Sequence, residues 1–483
     1  MNKYLPLPLA LTMALAACTV GPDYAGPPAA ASDAAPGAAF VRARDAAFQA
    51  TPGLARWWEG MGDPMLDTLV RDALAHNPDV DVAQARIREA MAQLRARQAD
   101  RMPSVSANAL YAHAQVPGLG GDSEGGGDTT ALNLYNLGLN ASWEIDLFGG
   151  SRRQLEQARA TLGARQADLA DMQVSLSAQV AQAYINLRDA QTRLRLNTQS
   201  IALQEQALGL MRQRFGAGTA SALDLERLQG QLDSTRAQVQ PLHADIDAYL
   251  DQLAVLTGRA PGTLDQQLDA VAPIPLPPAQ VPIGDPASLV AHRPDIRAAE
   301  RALAASNAAI GVAEARRLPR LSFMGILGLG GTSPGDVFDI DRLTTLAAPT
   351  LSWSFLDFGR GAANVRQSQA QRDQAEAQYR KAVLAALQDA ETSLSRFGNA
   401  RLQVASLARA DQAAMRAATL NQQRVAAGTS ALIDQLDIDR QRLSAAAALS
   451  QGKAALANSY VAVQKSLGLG WSEPGAQDGA ATP

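Results

Sequence analysis

The chain carries the same residue pattern twice, and this duplication constrains its fold more than any other feature. Asn77-Pro78-Asp79 returns as Arg293-Pro294-Asp295, 216 positions later. A second set of residues returns at an offset of 210. That set pairs Trp143 with Trp353, Phe148-Gly149 with Phe358-Gly359, Arg214 with Arg424, Gly218-Thr219 with Gly428-Thr429, Asp224 with Asp434 and Gly258 with Gly468. The repeat is far longer than the roughly 20–50 residues of a solenoid unit, so we predict one architecture built from two half-domains.

The composition favours long helices and gives no sign of catalysis. Lys and Arg (43) nearly balance Asp and Glu (47), with no basic stripe interleaved with aromatic residues, so nucleic acid is not an expected partner. Aromatic residues make up only 5% of the chain, and Ala, Gln, Arg and Leu are abundant. We find no nucleophile elbow, phosphate loop or metal-spaced cluster. We therefore expect neither an enzyme nor a bound cofactor.

The N-terminus has the features of an exported lipoprotein. Its apolar stretch is too short to span a bilayer, so residues 1–17 are predicted to be a signal peptide. Leu15-Ala16-Ala17-Cys18 is similar to the bacterial lipoprotein processing site, where the cysteine thiol receives diacylglycerol and its amino group an acyl chain. Thr19 rather than Asp follows Cys18, and this resemblance implies sorting to the outer membrane. The alternative is an ordinary signal peptide that contains a cysteine by chance.

Residues 18–55 are rich in Pro and Ala and are predicted to form a lipidated tether with little regular structure. The first repeat is assigned to residues 56–258 and the second to 287–467. A Pro-rich connector, 259–286, joins them, and 468–483 form a tail.

Four segments alternate between apolar and polar residues, as strands with two different faces do. They cover approximately 104–116, 131–147, 320–331 and 344–357. Allowing for ragged ends, each approaches the roughly 9–11 residues with which a tilted strand crosses a bilayer. For an isolated strand pair, a soluble hairpin would explain the pattern equally well. Trp143 and Trp353 are predicted to be aromatic residues at the membrane interface.

Four membrane strands cannot form a complete barrel, since single-chain barrels begin at about eight. An open edge is also costly, because each unpaired backbone group in hydrocarbon costs several kcal/mol. Oligomerisation is therefore expected to close the sheet.

Long helices follow each strand pair. Apolar residues recur at intervals of seven over 149–215 and 360–424, and the return helices are predicted over 221–257 and 431–467. The first long helix has two apolar seams on different sides, whereas a two-helix coiled coil needs only one. Two seams are typical of a closed wall of helices. At 1.5 Å per residue, a helix of this length extends about 100 Å.

Several local motifs occur together, in order, along nearly the whole mature chain. They are Cys18 to Tyr24, Trp57-Trp58, Asn77-Pro78, and the two turns Arg214 to Asp224 and Arg424 to Asp434. With these motifs the chain resembles the TolC-like outer-membrane factors, and among them the OprM/NodT-type efflux lipoproteins.

This resemblance implies a mainly α-helical homotrimer with a membrane β-barrel portion. Twelve strands would close one barrel, and twelve helices would form a tunnel across the periplasm. It implies a lipid-anchored, passive conduit in the outer membrane of a Gram-negative bacterium. The conduit would export drugs or other toxic small molecules, delivered by an inner-membrane pump, most often of the resistance-nodulation-division (RND) type, through a periplasmic adaptor (membrane fusion protein).

In this family the adaptor docks on the turns between helices. The resemblance therefore implies contacts at Arg214, Gly218, Ser221, Arg424, Gly428 and Ser430. The alternative for each residue is that it only ends or caps a helix.

The resemblance also implies a periplasmic end that is closed by bent helices and acidic rings. Asp411 interrupts the apolar seam of the second long helix about 20 Å from its turn, where the first repeat has Ile201. Threefold repetition would gather three carboxylates that attract cations, so Asp411 is a gate candidate. The alternative is a solvated aspartate on the outside of the helix wall.

A lipid-anchored periplasmic coiled-coil scaffold or adhesin without a pore is the competing function. It would share the helices and the lipidation site. It would not need the four alternating strands.

Overall fold

The computed structural model describes residues 19–29, 39–117 and 129–471. Cys18, the predicted signal peptide and residues 472–483 of the predicted tail lie outside the described residues. The helices are α1 (Pro64–His76), α2 (Pro78–Ala99), α3 (Gly150–Gly216), α4 (Ala222–Leu256), α5 (Asp265–Leu268), α6 (Pro286–His292), α7 (Pro294–Ala315), α8 (Arg360–Ala426) and α9 (Leu432–Ser466). The strands are β1 (Phe48–Gln49), β2 (Ser104–Pro117), β3 (Thr129–Ile145), β4 (Val281–Pro282), β5 (Arg320–Gly331) and β6 (Leu343–Ser352). The predicted mainly helical character is confirmed.

The duplication is visible in the helix lengths. Helices α3 and α8 have 67 residues each, and α4 and α9 have 35 each. Helix α4 contains Pro241 and continues through it, although proline removes one backbone hydrogen bond of a helix. Across the described parts of the chain, no helix is both long and apolar enough to cross a membrane.

The chain divides into two compact units. Unit 1 consists of Met1–Pro28, Arg86–Arg165 and Ala299–Tyr379, and unit 2 consists of Ala29–Ala85, Gln166–Ala298 and Arg380–Pro483. Each unit therefore takes segments from both repeats.

Unit 1 contains an antiparallel sheet of four strands in the order β2-β3-β5-β6. The hairpin of each repeat contributes two neighbouring strands, and β3 pairs with β5 where the repeats meet. Strand β6 ends at Ser352, although the sequence pattern extended it to 357. The loop after β5 contains two short 3-10 helices, Pro334–Phe338 and Ile340–Arg342.

Unit 2 has an aromatic core. Trp57, Phe397 and Tyr460 are almost completely buried. The ring of Phe397 lies 5.5 Å from that of Phe48 and 6.2 Å from that of Tyr460, and Tyr460 lies 5.9 Å from Trp57. Trp57 of the Trp57-Trp58 motif is therefore a core residue. It packs a short 3-10 helix, Trp57–Met61, onto α9.

The segment predicted as an unstructured tether is partly ordered in unit 2. Strand β1 pairs in parallel with β4 from the Pro-rich connector. The amides of Val281, Ile283 and Gly284 donate hydrogen bonds of 2.7–2.9 Å to the carbonyls of Ala47, Gln49 and Thr51. Neither segment has a periodic sequence pattern, but each provides hydrogen-bond partners for the backbone groups of the other. Buried backbone N–H and C=O groups need such partners.

The ends of the return helices repeat the same turn in unit 2. Gly258 and Gly468 both have φ of +72°. A Cβ atom at Gly258 would lie 2.2 Å from the carbonyl oxygen of His76, so only glycine fits there. Beside these turns, the side-chain amide of Asn77 donates to the carbonyl of Leu256 at 2.9 Å.

Arg293 takes the place of Asn77 in the second repeat. Its guanidinium donates to the carbonyl of Ser466 at 2.6 Å. The duplication therefore preserves the hydrogen bond although the residue that makes it differs.

Candidate functional site

One face of the unit 1 sheet is apolar and exposed. Strand partners in register share this face, for example Trp143 with Phe323 and Leu139 with Leu327. Each of these four side chains is at least 40% exposed. A contiguous apolar surface of this kind is rare on soluble monomers and typical of a surface in contact with lipid or another protein. The opposite face carries more polar residues, including Ser104, Ser106, Asn140 and Ser142.

The two outer strands of this sheet have free edges. Strand β2 pairs only with β3, and β6 pairs only with β5, within the described residues. Each therefore presents a row of unpaired N–H and C=O groups that can pair with another strand.

Trp143 and Trp353 have a structural role that the sequence did not reveal. The indole N–H of Trp143 donates to the carbonyl of Arg101, and that of Trp353 donates to the carbonyl of Arg317, both at 3.0 Å. Trp143 thus ties β3 to the turn that precedes β2, and Trp353, which directly follows β6, bonds in the same way to the turn that precedes β5. Both side chains are also substantially exposed, so the predicted position at the membrane interface remains a prediction.

The residues that directly follow Cys18 are held in place in unit 1. Arg153, near the start of α3, is almost fully buried. Its guanidinium donates to the carbonyls of Val20 and Gly21 at 3.1 and 3.0 Å and to the carboxylate of Asp23 at 2.7 Å. The amide of Val20 donates to the carbonyl of Phe148 at 3.1 Å. We call residues 19–24 the N-terminal clamp segment.

Helix α7 holds the other side of the clamp segment. Asn307 donates to the carbonyl of Pro22 at 2.9 Å, and the Tyr24 hydroxyl donates to Glu300 at 2.7 Å. Burial and the neighbouring Glu300 raise the pKa of Tyr24. Gly21 has φ of +88°, and a Cβ there would lie 2.4 Å from the Cα of Gly311. The expected loose tether is therefore fixed at its beginning, because both glycines allow close backbone approach.

The turn between α3 and α4 contains three of the predicted contact residues. The amide and hydroxyl of Thr219 donate to the carbonyl of Arg214 at 2.8 and 3.0 Å. Gly218 has φ of +71°, with open space around its Cα. These bonds close the end of α3 in a common C-terminal motif.

Ser221 caps the start of α4. Its hydroxyl donates to Asp224 at 2.7 Å, and the Asp224 amide donates back to the hydroxyl at 3.2 Å. The hydrogen bonds from Ser221 lower the pKa of the Asp224 carboxyl. Ser221 therefore has a structural role as a cap, whether or not it also contacts a partner.

The turn between α8 and α9 is similar in backbone and different in side chains. Thr429 again donates to the carbonyl of Arg424 from its amide and its hydroxyl, and Gly428 has φ of +73°. Ser430 donates to Asn421 at 2.9 Å. Ala431 replaces the capping serine of the first turn and provides no side-chain oxygen.

Asp411 lies on α8 and is partly exposed. Among the residues that the structure describes, it has no hydrogen-bond or ion-pair partner. Its counterpart Ile201 on α3 is also partly exposed. The described residues contain no group of three or more acidic, His or Cys side chains that could hold a metal ion.

Comparison with known proteins agrees with this architecture. The sequence model of the family described as "Outer membrane efflux protein" matches residues 69–259 and 286–469. The outer membrane protein OprJ of Pseudomonas aeruginosa is 29% identical over 475 residues, which cover 96% of this chain and 95% of OprJ. The pyoverdine export outer membrane protein OpmQ of the same organism is 31% identical over 424 residues, which cover 86% of this chain and 87% of OpmQ.

The structure of the outer-membrane channel OprN superposes with a TM-score of 0.83. The two share 36% identity over 94% of this chain and all of that chain. These matches extend through both repeats, including the strands, the long helices and the turns. They do not favour a scaffold or adhesin without a pore. This chain belongs to the outer membrane efflux protein family.

Proposed function

We propose that three copies of this chain close a twelve-stranded barrel through the outer membrane and form the passive exit duct of a tripartite efflux system. The observation that carries this proposal is the unit 1 sheet, which has two free edges and an exposed apolar face. In hydrocarbon the edge groups must be paired. Three copies of four strands are enough for a barrel, whereas one copy is not.

The paired long helices favour a helical tunnel as the second part of this duct. Their repeated lengths and the exposed turns at their ends support docking of a periplasmic adaptor, with an RND-type inner-membrane pump as the source of energy. The names of the relatives refer to different exported compounds, including pyoverdine for OpmQ and toluene for TtgI. We propose small toxic molecules as the cargo, selected by the pump rather than by the duct.

A lipid on Cys18 is the proposed membrane anchor. The N-terminal clamp segment supports it, because Val20 to Tyr24 are bonded to α3 and α7 within unit 1. Because Cys18 directly precedes this segment in the sequence, the proposed lipid would be attached near unit 1, which also carries the apolar sheet.

Oligomeric mass and conductance test the proposed duct. Protein extracted in mild detergent is expected to have the mass of three chains and to conduct ions in a planar bilayer. The matched control is a Cys18→Ser variant behind an ordinary cleavable signal peptide. It should still require detergent, because a barrel does not depend on the acyl chains. A monomeric protein that is electrically silent would exclude the duct, and a detergent-independent control variant would favour a lipid-anchored scaffold.

We further propose that Asp411 forms an acidic ring in the closed end of the duct. Its exposure and the lack of a partner within the described chain leave the carboxylate able to face water. In Asp411→Ala, the preference for cations over anions in single-channel recordings is expected to fall, since three negative charges are removed from a narrow passage. Asp373→Ala, on the same helix and already paired with Arg372, is the control and should change selectivity less. Unchanged selectivity, conductance and drug susceptibility in Asp411→Ala would remove this residue from the gate.

A further inference from the structure

The loop between β5 and β6 is held in shape by charged side chains. We call residues 332–342 the β5–β6 loop. Asp336 is buried, and its carboxylate accepts a hydrogen bond from the amide of Ser333 at 2.9 Å and forms an ion pair with Arg342 at 3.2 Å. Arg342 also pairs with Asp339 at 3.4 Å. These contacts connect the two 3-10 helices of the loop, so the loop has a defined conformation.

The β5–β6 loop folds over the apolar face of the sheet. Gly331, the last residue of β5, follows Leu327 and Leu329 at intervals of two and therefore lies on the same face of the strand. A Cβ atom at Gly331 would lie 2.2 Å from a carboxylate oxygen of Asp336, so Asp336 lies directly above this face. The first 3-10 helix, Pro334–Phe338, also contacts β3. The loop thus covers the end of the apolar face.

Two large apolar side chains of the loop are highly exposed. Phe338 is 83% exposed and Ile340 is 77% exposed. They flank Asp339, whose backbone is extended (φ −91°, ψ 109°), and the two neighbours of an extended residue lie on the same side of the chain. The carboxylate of Asp339 lies on the other side, where it pairs with Arg342. The loop therefore has an apolar side and a charged side.

The apolar side of the loop continues into the apolar face of the sheet. The amide of Leu343 donates to the carbonyl of Ile340, and residues three positions apart in a 3-10 helix lie on the same side. Leu343 begins β6 opposite Leu329 and belongs to the apolar face. Phe338, Ile340 and Leu343 therefore extend this face beyond the end of the strands.

This arrangement is the reverse of the one that water favours. In water, charged side chains are usually exposed and large apolar side chains are usually covered. In the β5–β6 loop, Asp336 is buried against the sheet, whereas Phe338 and Ile340 form the free surface. Such an apolar surface marks contact with lipid or protein. Its continuity with a face that we propose to be in hydrocarbon favours lipid.

We propose that the β5–β6 loop lies in the membrane interface, with Phe338 and Ile340 inserted among the acyl chains. This inference rests on the proposed function, because it requires the apolar face to be in the bilayer. The loop joins the ends of β5 and β6 that are remote from the start of α8. It would therefore contact the leaflet opposite to the one that receives the proposed lipid on Cys18.

Spin labels test this inference in liposomes that contain the full-length chain. The label is attached to Phe338→Cys or to Ile340→Cys in a Cys18→Ser background behind a cleavable signal peptide, since the sequence contains no other cysteine. Both side chains are so exposed that their replacement removes little packing. Power saturation compares collisions of the label with oxygen, which concentrates in lipid, and with a nickel chelate, which stays in water.

Two labelled variants provide the controls. Leu139→Cys reports on the middle of the apolar face, and Asp341→Cys reports on a charged, exposed residue of the same loop. At Phe338 and Ile340 we expect the ratio of oxygen to nickel collisions to approach that at Leu139 and to exceed that at Asp341 several-fold.

The controls also separate this inference from the proposed duct. If the labels at Phe338 and Ile340 give the ratio of Asp341 while Leu139 gives a lipid ratio, the insertion of the loop is wrong and the duct stands. Labels that are shielded from both reagents and broaden each other's spectra would show that a second copy covers the loop, which would also overturn the insertion. A water ratio at Leu139 would contradict the duct itself.

Discussion

Replacing Phe397 with alanine is expected to lower the free energy of unfolding by about 3–5 kcal/mol, the usual range for a buried aromatic side chain. Phe397 is 1% exposed, and its ring packs on Phe48 and Tyr460 in the core of unit 2. Truncation would remove apolar burial and leave a cavity between α8, α9 and the segment that contains β1. The loss of helical circular dichroism with denaturant in detergent measures the change.

Phe215→Ala is the matched control for this substitution. Phe215 lies at the end of α3 and is 45% exposed, so the same truncation should change the denaturant midpoint far less. Equal midpoints for the two variants would show that the aromatic cluster does not form the core of unit 2.

Bulky side chains at the two turn glycines are expected to abolish efflux. In the double variant Gly218→Trp with Gly428→Trp, the indoles would project from turns that have no atoms within 4 Å of the added Cβ. They would therefore occupy the space in which we propose that an adaptor docks. A clash of about 3 kcal/mol would weaken docking roughly a hundredfold. Drug susceptibility is the measurement. We expect cells with the double tryptophan variant to be as susceptible as cells that lack the channel.

The double alanine variant at the same positions distinguishes the effect of side-chain volume from the effect of backbone strain. Both glycines have positive φ, so alanine and tryptophan incur a similar left-handed penalty, about 1–2 kcal/mol per residue. Alanine adds little volume, and we expect it to retain most of the efflux. Full efflux in the tryptophan variant, at equal protein level and oligomeric mass, would show that these turns are not the docking surface.

The sequence predicted the long elements well because their periodicity extends over many residues. The helix placed at 149–215 is observed as Gly150–Gly216, and the one at 360–424 as Arg360–Ala426. Apolar seams at intervals of seven and glycines at the turns determine these ends. The duplication supported each interpretation twice.

Other features depend on contacts between distant residues and leave no local pattern. The burial of Arg153 depends on the carbonyls of Val20 and Gly21, which lie more than 130 positions earlier in the chain. Similarly, the indole hydrogen bond of Trp143 depends on the position of the Arg101 carbonyl, which lies 42 positions earlier in the chain. The early end of β6 could not be predicted from alternation, because alternation does not show whether a strand has two neighbours. That end is determined by pairing.

The position of the N-terminal clamp segment limits how far a lipid could reach from the folded chain. Val20 is hydrogen-bonded to both Phe148 and Arg153, so only Thr19 separates this fixed point from Cys18. Two extended residues span at most about 7 Å. The proposed acyl chains on Cys18 would therefore be attached within this distance of Val20, and so short a connection would restrict how far the folded chain can move from the bilayer surface.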